Sequence, residues 1–233
     1  ALDRKIKPDI WITDVANRIA KTPKKCFWVY AFHSFCYKKY LFHRSTEKFD
    51  LLLLPSDYFK DEFAKRLDFT PNDKRLAVTG FPKLDPLMRG EYCGHQTKCD
   101  LGLDPDKKTV LYAPTWGGGS SKGMWGNKLW CRWNEAQHFE IFEKFANSIS
   151  AAKANLIVKI HHVCDLPERK RLAKFCRESG IGWVDDSPGL MADILPILHC
   201  ADVLVSDMSG AIAEFIACGK PVVCIDPDSA AAW

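Results

Sequence analysis

Short apolar runs recur along this chain at Ile10–Thr13, Phe27–Ala31, Leu51–Leu54, Leu76–Val78, Val110–Ala113, Leu156–Ile160, Val203–Val205 and Val222–Ile225. Helical spacing fills several of the gaps. Asp57 to Leu67 sets Phe59, Phe63 and Leu67 on one face, and Glu135 to Lys153 does the same with Phe139, Phe142, Phe145 and Ile149. Pro167 to Ser179 and Ala211 to Cys218 are further helical candidates. A strand that is apolar along its whole length is buried on both faces, as in a parallel sheet, and parallel neighbours need a crossover between them. The alternation therefore predicts an α/β chain with parallel sheets covered on both sides. The stretch from Leu87 to Lys108 is polar, carries Gly and Pro, and holds no sustained period, so it reads as a linker. Two Rossmann-like, doubly wound domains follow, over residues 1–87 and 109–233 with residues 88–108 between them, and a ligand cleft between the two halves. The chain enters a strand almost at once and stops soon after one, so both domains are expected to be incomplete at their outer ends.

Composition narrows the class. With 233 residues, 47% hydrophobic and 27% charged, the chain can build an ample core. No apolar run reaches the ~20 residues that span a bilayer, and no leader with a charged start, an apolar stretch and a cleavage site is visible. A cytoplasmic protein is expected, with peripheral attachment to the inner face of the membrane as one option. The cysteines (Cys26, Cys36, Cys93, Cys99, Cys131, Cys164, Cys176, Cys200, Cys218 and Cys224) form no CxxC pair, which argues against zinc or a disulfide framework and for buried, reduced thiols. Residues 1–90 hold 18 Lys/Arg against 11 Asp/Glu, whereas the rest holds 15 against 18. A basic first half suits an anionic partner such as a membrane surface or a phosphate-bearing polymer, and equally a plain solvated face. No nucleic-acid motif is present, and none is expected as a partner.

Open α/β sheets bind ligands beyond the carboxyl ends of their strands. His33, with Lys38 and Lys39 shortly after it, follows the second apolar run; a histidine there can exchange a proton near neutral pH, and the lysines can hold an anion. A surface histidine with ordinary hydrogen bonds explains the same residues. Thr115, Trp116 and Gly117 follow the run ending at Ala113 and open a Gly/Ser-rich stretch whose N–H groups can approach a ligand, although the spacing is not that of a Walker loop. Lys159 and His161 stand at the end of another strand. The adjacent His162 points to the opposite face, so the pair makes a poor metal chelate. The stretch "VLVSDMSGAIAEFIA" passes from strand to helix through Ser206, Asp207, Ser209 and Gly210, and a helix start offers free N–H groups to phosphate. Glu214, one turn in, would repel phosphate and is better suited to accept hydrogen bonds from hydroxyls, as of a ribose.

Taken in order, these segments resemble the CDP-glycerol glycerophosphotransferase family, the teichoic-acid primases and polymerases. "HSFCYKK" resembles its His-Gly-x-x-x-Lys segment, and "FDLLLLPSDYFKDEFAKRL" the stretch that follows. "VTGFPKLDPL", "VLYAPTW" and "VKIHH" are similar to its Gly-x-Pro-Arg-x-Asp-x-Leu, Tyr-Ala-Pro-Thr-Trp and Lys-x-His-Pro segments. "VLVSDMSGAIAEFIACGKPVV" resembles its Ser-Asp-Tyr-Ser-Ser segment with the Gly-Lys-Pro ending. The resemblance implies a GT-B-like pair of domains, with acceptor residues in the first and nucleotide in the second. It implies no required metal or cofactor, a CDP-linked donor, and a hydroxyl of an anionic cell-envelope or capsular polymer, or of a lipid-linked acceptor, attacking the β-phosphorus to release CMP. His33 would be the base for the acceptor. His161 would contact the diphosphate and assist CMP departure, and Ser209 and the Gly210 N–H would hold phosphate oxygens. The chain departs from the family at Ser34 and Gly210, which replace a glycine and a serine, at Gly117, which replaces an arginine, and at His162 and Met208, which replace a proline and a tyrosine. Gly210 also resembles the Ser-Gly turn of UDP-sugar epimerases and some glycosyltransferases, leaving a nucleotide-sugar enzyme as an alternative and a non-catalytic nucleotide- or glycan-binding fragment as a second.

Overall fold

The computed structural model describes residues 8–14, 26–32, 42–70, 72–114, 136–160, 166–184, 193–206 and 209–225. The chain divides into two compact units, Ala1–Asp85 and Pro86–Trp233.

The first unit carries strands β1 (Ile10–Thr13), β2 (Phe27–Ala31), β3 (Leu51–Leu54) and β4 (Leu76–Val78), paired in parallel in the order β1-β2-β3-β4. Aromatic and β-branched residues fill β2, the residue types that suit a pleated, half-buried surface. With a side-chain period of two, Trp28, Tyr30 and Phe32 share one face. Helix α1 (Asp57–Arg66) lies against that face through Phe59 and Phe63, four residues apart and hence on one side of the helix. Phe32 meets Phe63 at 5.7 Å between ring centroids and Tyr30 meets Phe49 at 5.4 Å, so this core is largely aromatic. Fully buried Phe63 alone contributes on the order of 1.5–3 kcal/mol of transfer free energy. Lys65 and Arg66 in the last turn of α1 complement its carbonyl end. On the opposite face Ile10, Ile12 and Phe27 stay exposed, so two-sided coverage does not extend to β1 and the start of β2.

The second unit begins with two short helices, α2 (Asp85–Met88, which straddles the boundary) and α3 (Gly94–Asp100). The stretch expected to be a linker is thus folded into this unit. Thr97 and Leu103 are buried, and α3 packs on a later helix, α6 (Leu195–Cys200). A Cβ on Gly94 would stand 3.3 Å from the Cα of Cys200, so glycine is what lets the two backbones approach. The sheet consists of β5 (Thr109–Tyr112), β6 (Asn155–Val158), β7 (Gly182–Trp183), β8 (Val203–Ser206) and β9 (Val222–Cys224), all parallel in the order β7-β6-β5-β8-β9. Helix α4 (Ala136–Ala151) follows β5, α5 (Leu166–Glu178) follows β6, and α7 (Gly210–Ile216) follows β8. Phe142, Leu156, Val158, Leu172 and Cys176 build the core on one side of this sheet. From β5 the chain moves outward to β6 and β7, then returns to add β8 and β9 on the other side. The order therefore reverses between β5 and β8, which is the crevice position of a doubly wound sheet.

Among the described residues no helix is long and apolar enough to cross a membrane. Among the described residues no cysteine is in a disulfide. Burial pushes Cys176 up to about 12 and Cys200 up to about 11. Cys93, Cys99 and Cys224 are exposed, so the expectation of buried thiols holds only in part.

Candidate functional site

His33, Lys38, Lys39, Thr115, Trp116, Gly117, His161 and Asp207 lie outside the described residues. Lys159, Ser206, Ser209, Gly210 and Glu214 lie within them, all at or just beyond the carboxyl ends of β6 and β8. Strand register explains why these ends come together. Tyr112 stands opposite Val158 on one side and Val205 on the other, so β5, β6 and β8 finish at one level. The Lys159 N–H donates to Tyr112 O at 3.0 Å, the Ala113 N–H to Val205 O at 3.0 Å, and the Ile225 N–H to Ser206 O at 2.7 Å. The carboxyl edge of four neighbouring strands is thereby laced together, with β5 and β8 at its centre.

Ser206 is turned inward. It is 1% exposed, and its Oγ donates to the carbonyl of Ala113 at 2.6 Å. A hydroxyl has one proton, so while this bond is made none is left for a phosphate oxygen. Three residues on, Ser209 is placed differently. It is the N-cap of α7, with extended backbone (φ −73°, ψ 148°), and its Oγ accepts from the Ala211 N–H at 3.2 Å. Accepting that bond leaves the hydroxyl proton available, and among the described residues none takes it. Ser209 O accepts the Ile212 N–H at 3.2 Å, closing the first turn. Among the described residues none accepts from the Gly210 N–H, the first helical amide. Ser209 and Gly210 are only half-buried, so one hydroxyl proton and one amide proton stand next to each other beyond β8. Glu214 lies one turn along α7 on the Gly210 side and is 5% exposed, which places a carboxylate inside the fold rather than on its surface.

The Gly-Lys-Pro segment proves to be structural. Gly219 (φ +66°) makes the left-handed turn after α7, and the Lys220 Nζ donates to His199 O at 2.6 Å and Ala201 O at 2.7 Å. It thus satisfies the carbonyl end of α6. Burial, and secondarily the Lys220 charge, hold the His199 imidazole below its usual range. Sequence reading missed this lysine, and also the carbonyl of Ala113, because a backbone acceptor leaves no mark on residue type.

The sequence pattern of the CDP-glycerol:poly(glycerophosphate) glycerophosphotransferase family matches residues 33–231. The chain is similar to the teichoic acid poly(glycerol phosphate) polymerase of Bacillus spizizenii, 25% identical over 192 residues that make up 80% of this chain and 43% of the relative. It is similar as well to the teichoic acid glycerol-phosphate primase of the same organism, 26% identical over 185 residues, or 78% and 41% of the two chains. This chain therefore spans under half the length of these relatives. In fold it resembles the wall teichoic acid polymerase TagF, with a TM-score of 0.59 at 17% identity over 92% of this chain and 53% of that one. The UDP-GlcNAc 2-epimerase from Methanocaldococcus jannaschii superposes with a TM-score of 0.53 at 14% identity, covering 93% and 61%. The neighbours agree with two parallel α/β sheets in the GT-B manner. With its motifs matched through both units, the chain belongs to the CDP-glycerol:poly(glycerophosphate) glycerophosphotransferase family.

Proposed function

We propose that the chain contributes the reactive centre of a transferase that moves glycerol phosphate, or a related alcohol phosphate such as ribitol phosphate, from a CDP-linked donor to a hydroxyl of a cell-envelope polymer. The observation that carries this reading is the coincidence of family motif and topology. The matched segments ending at Ala113, Lys159 and Ser206 stop side by side at the strand-order reversal of the second sheet. A structure of TagF soaked with CDPG supports the donor class by analogy.

In this reading the acceptor oxygen attacks the β-phosphorus while the bond from that phosphorus to the CMP oxygen breaks. The acceptor proton passes to His33, and His161 assists the departing CMP phosphate. Lys38 and Lys39 draw the anionic acceptor. Ser209 O–H and Gly210 N–H hold diphosphate oxygens, with Lys159, Thr115, Trp116, Gly117 and Asp207 around the nucleotide and Glu214 accepting hydrogen bonds from its hydroxyls. Phosphoryl transfer asks mainly for placement and for neutralisation of oxygen charge, and donors of this kind supply both. The charge is carried by N–H groups and cationic side chains, so no metal is required. The acceptor is lipid-linked or polymeric, and the protein works in the cytoplasm at the inner face of the membrane.

The test is release of CMP from CDP-glycerol and CDP-ribitol in the presence of a polymer acceptor, with and without EDTA. Release that survives EDTA and disappears in His161→Ala is expected. Turnover of a UDP-sugar without use of either CDP-alcohol would overturn the reading, and loss of activity in EDTA would overturn the metal-free part of it.

A further inference from the structure

At the carboxyl edge of the second sheet each neighbouring pair of strands is tied by backbone bonds. Lys159 N–H to Tyr112 O joins β6 to β5, and Ile225 N–H to Ser206 O joins β9 to β8. At the junction of β5 with β8 a side chain joins the backbone: alongside the Ala113 N–H to Val205 O, the Ser206 hydroxyl bonds the Ala113 carbonyl at 2.6 Å. This is the junction where the strand order reverses, and where a doubly wound sheet opens its crevice. Ser206 is 1% exposed and Ala113 4%, so the bond is made out of reach of water, and an apolar residue at 206 would leave the carbonyl without this donor. The remainder of β8, Val203 to Val205, is entirely aliphatic.

We infer that Ser206 is a positioning residue: its hydroxyl fixes the ends of β5 and β8 against each other and thereby sets where Ser209 and Gly210, three and four residues on, present their protons to the donor diphosphate. The inference rests on the donor site proposed above. It assigns Ser206 no contact with the nucleotide. Its influence on the donor passes through backbone geometry, and the acceptor lies outside that influence.

The experiment compares Ser206→Ala and Ser206→Thr in the same chain, with two readouts. Amide exchange across residues 109–114 and 203–211 reports the junction without any ligand. Faster exchange there in Ser206→Ala, with wild-type protection in Ser206→Thr and elsewhere in the sheet, is expected. Titration with CDP-glycerol, well below the unfolding temperature of each variant, reports the donor site. A weaker affinity in Ser206→Ala is expected, because the diphosphate-binding turn is less well placed, with recovery in Ser206→Thr and acceptor KM unchanged. Unaltered exchange at the junction, or unaltered donor affinity in a Ser206→Ala protein that exchanges faster, overturns the inference. A general loss of protection across the sheet would also overturn it, by reducing Ser206 to a packing residue. Wild-type chain that binds no CDP-alcohol refutes the donor assignment instead. In that event the exchange readout still decides whether Ser206 holds the junction.

Discussion

Replacing Ser209 separates two roles that the structure gives to one hydroxyl. Its Oγ accepts from the Ala211 N–H at 3.2 Å as the cap of α7, and its proton is the proposed donor to a diphosphate oxygen. Ser209→Ala removes both, costing about 1 kcal/mol of stability from the lost cap. The charge-assisted bond to phosphate is worth about 1.5–3 kcal/mol, a weakening of donor binding of roughly 10- to 150-fold. Ser209→Asp keeps an oxygen that caps at least as well, so its stability should match or exceed wild type. It also sets a carboxylate against the diphosphate. At ~4 Å and an effective dielectric of ~20 the repulsion is of the order of 4 kcal/mol, before ionic screening. The order of stabilities should therefore be Asp at or above Ser, then Ala, and the order of donor affinities Ser, then Ala, then Asp. Urea unfolding and calorimetric titration with CDP-glycerol, run on the same preparations, read the two series. Parallel series, with affinity following stability, would refute the argument, since the hydroxyl would then act only as a helix cap. An aspartate variant that binds donor as tightly as wild type would remove the phosphate from this turn.

His33→Ala should lower turnover far more than donor affinity, because its proposed partner is the acceptor proton. Single-turnover rates beside CDP-glycerol titrations measure the split, and an equal loss of affinity contradicts the role. Lys220→Met should destabilise the second unit by about 1.5–3 kcal/mol in urea, since His199 O and Ala201 O lose a cationic donor, and an unchanged midpoint would show the capping to be inert. His199 also gives wild-type stability a pH dependence. Its folded-state pKa lies below the usual value, mainly through burial, so the unfolded chain binds the proton more readily. That contribution is complete above the ordinary histidine range, near ~6.5, and declines as pH falls through it toward the lower folded value. The decline should be shallower in Lys220→Met, which lacks the smaller, electrostatic part of the depression, and NMR titration of His199 measures the change directly.

Most strands were legible because their signal is local. Each apolar run from Ile10 to Val222 became a strand to within a residue or two, since short runs of apolar, mostly β-branched, aromatic or leucine residues suit a parallel sheet. Other elements gave no such signal, β7, α6 and α3 among them. Strand β7 is the two residues Gly182 and Trp183, too short for any period, and a Cβ on Gly182 would stand 3.0 Å from the Leu103 side chain. Helix α6 is apolar almost all round, with Leu195, Ile197, Leu198 and Cys200 buried, so it shows no amphipathic stripe. Helix α3 sits in polar sequence and owes its place to contact with α6, a tertiary cause invisible along the chain.

The strand-end residues were equally legible as a set, but not in their division of labour. In "SDMSG" two serines follow one strand, and residue type makes them equivalent. The difference arises from strand order. Pairing β8 with β5 brings Ala113 O beside Ser206 and engages that hydroxyl in the fold, whereas Ser209 lies beyond β8, where among the described residues the first turn of α7 alone competes for it. A serine at the end of a central strand is thus drawn inward by a carbonyl of the neighbouring strand. One placed at the following helix cap keeps its proton for something else. The reversal of strand order between β5 and β8 produces both situations within four residues, which is why a family motif can hold a structural hydroxyl and a proposed ligand hydroxyl side by side.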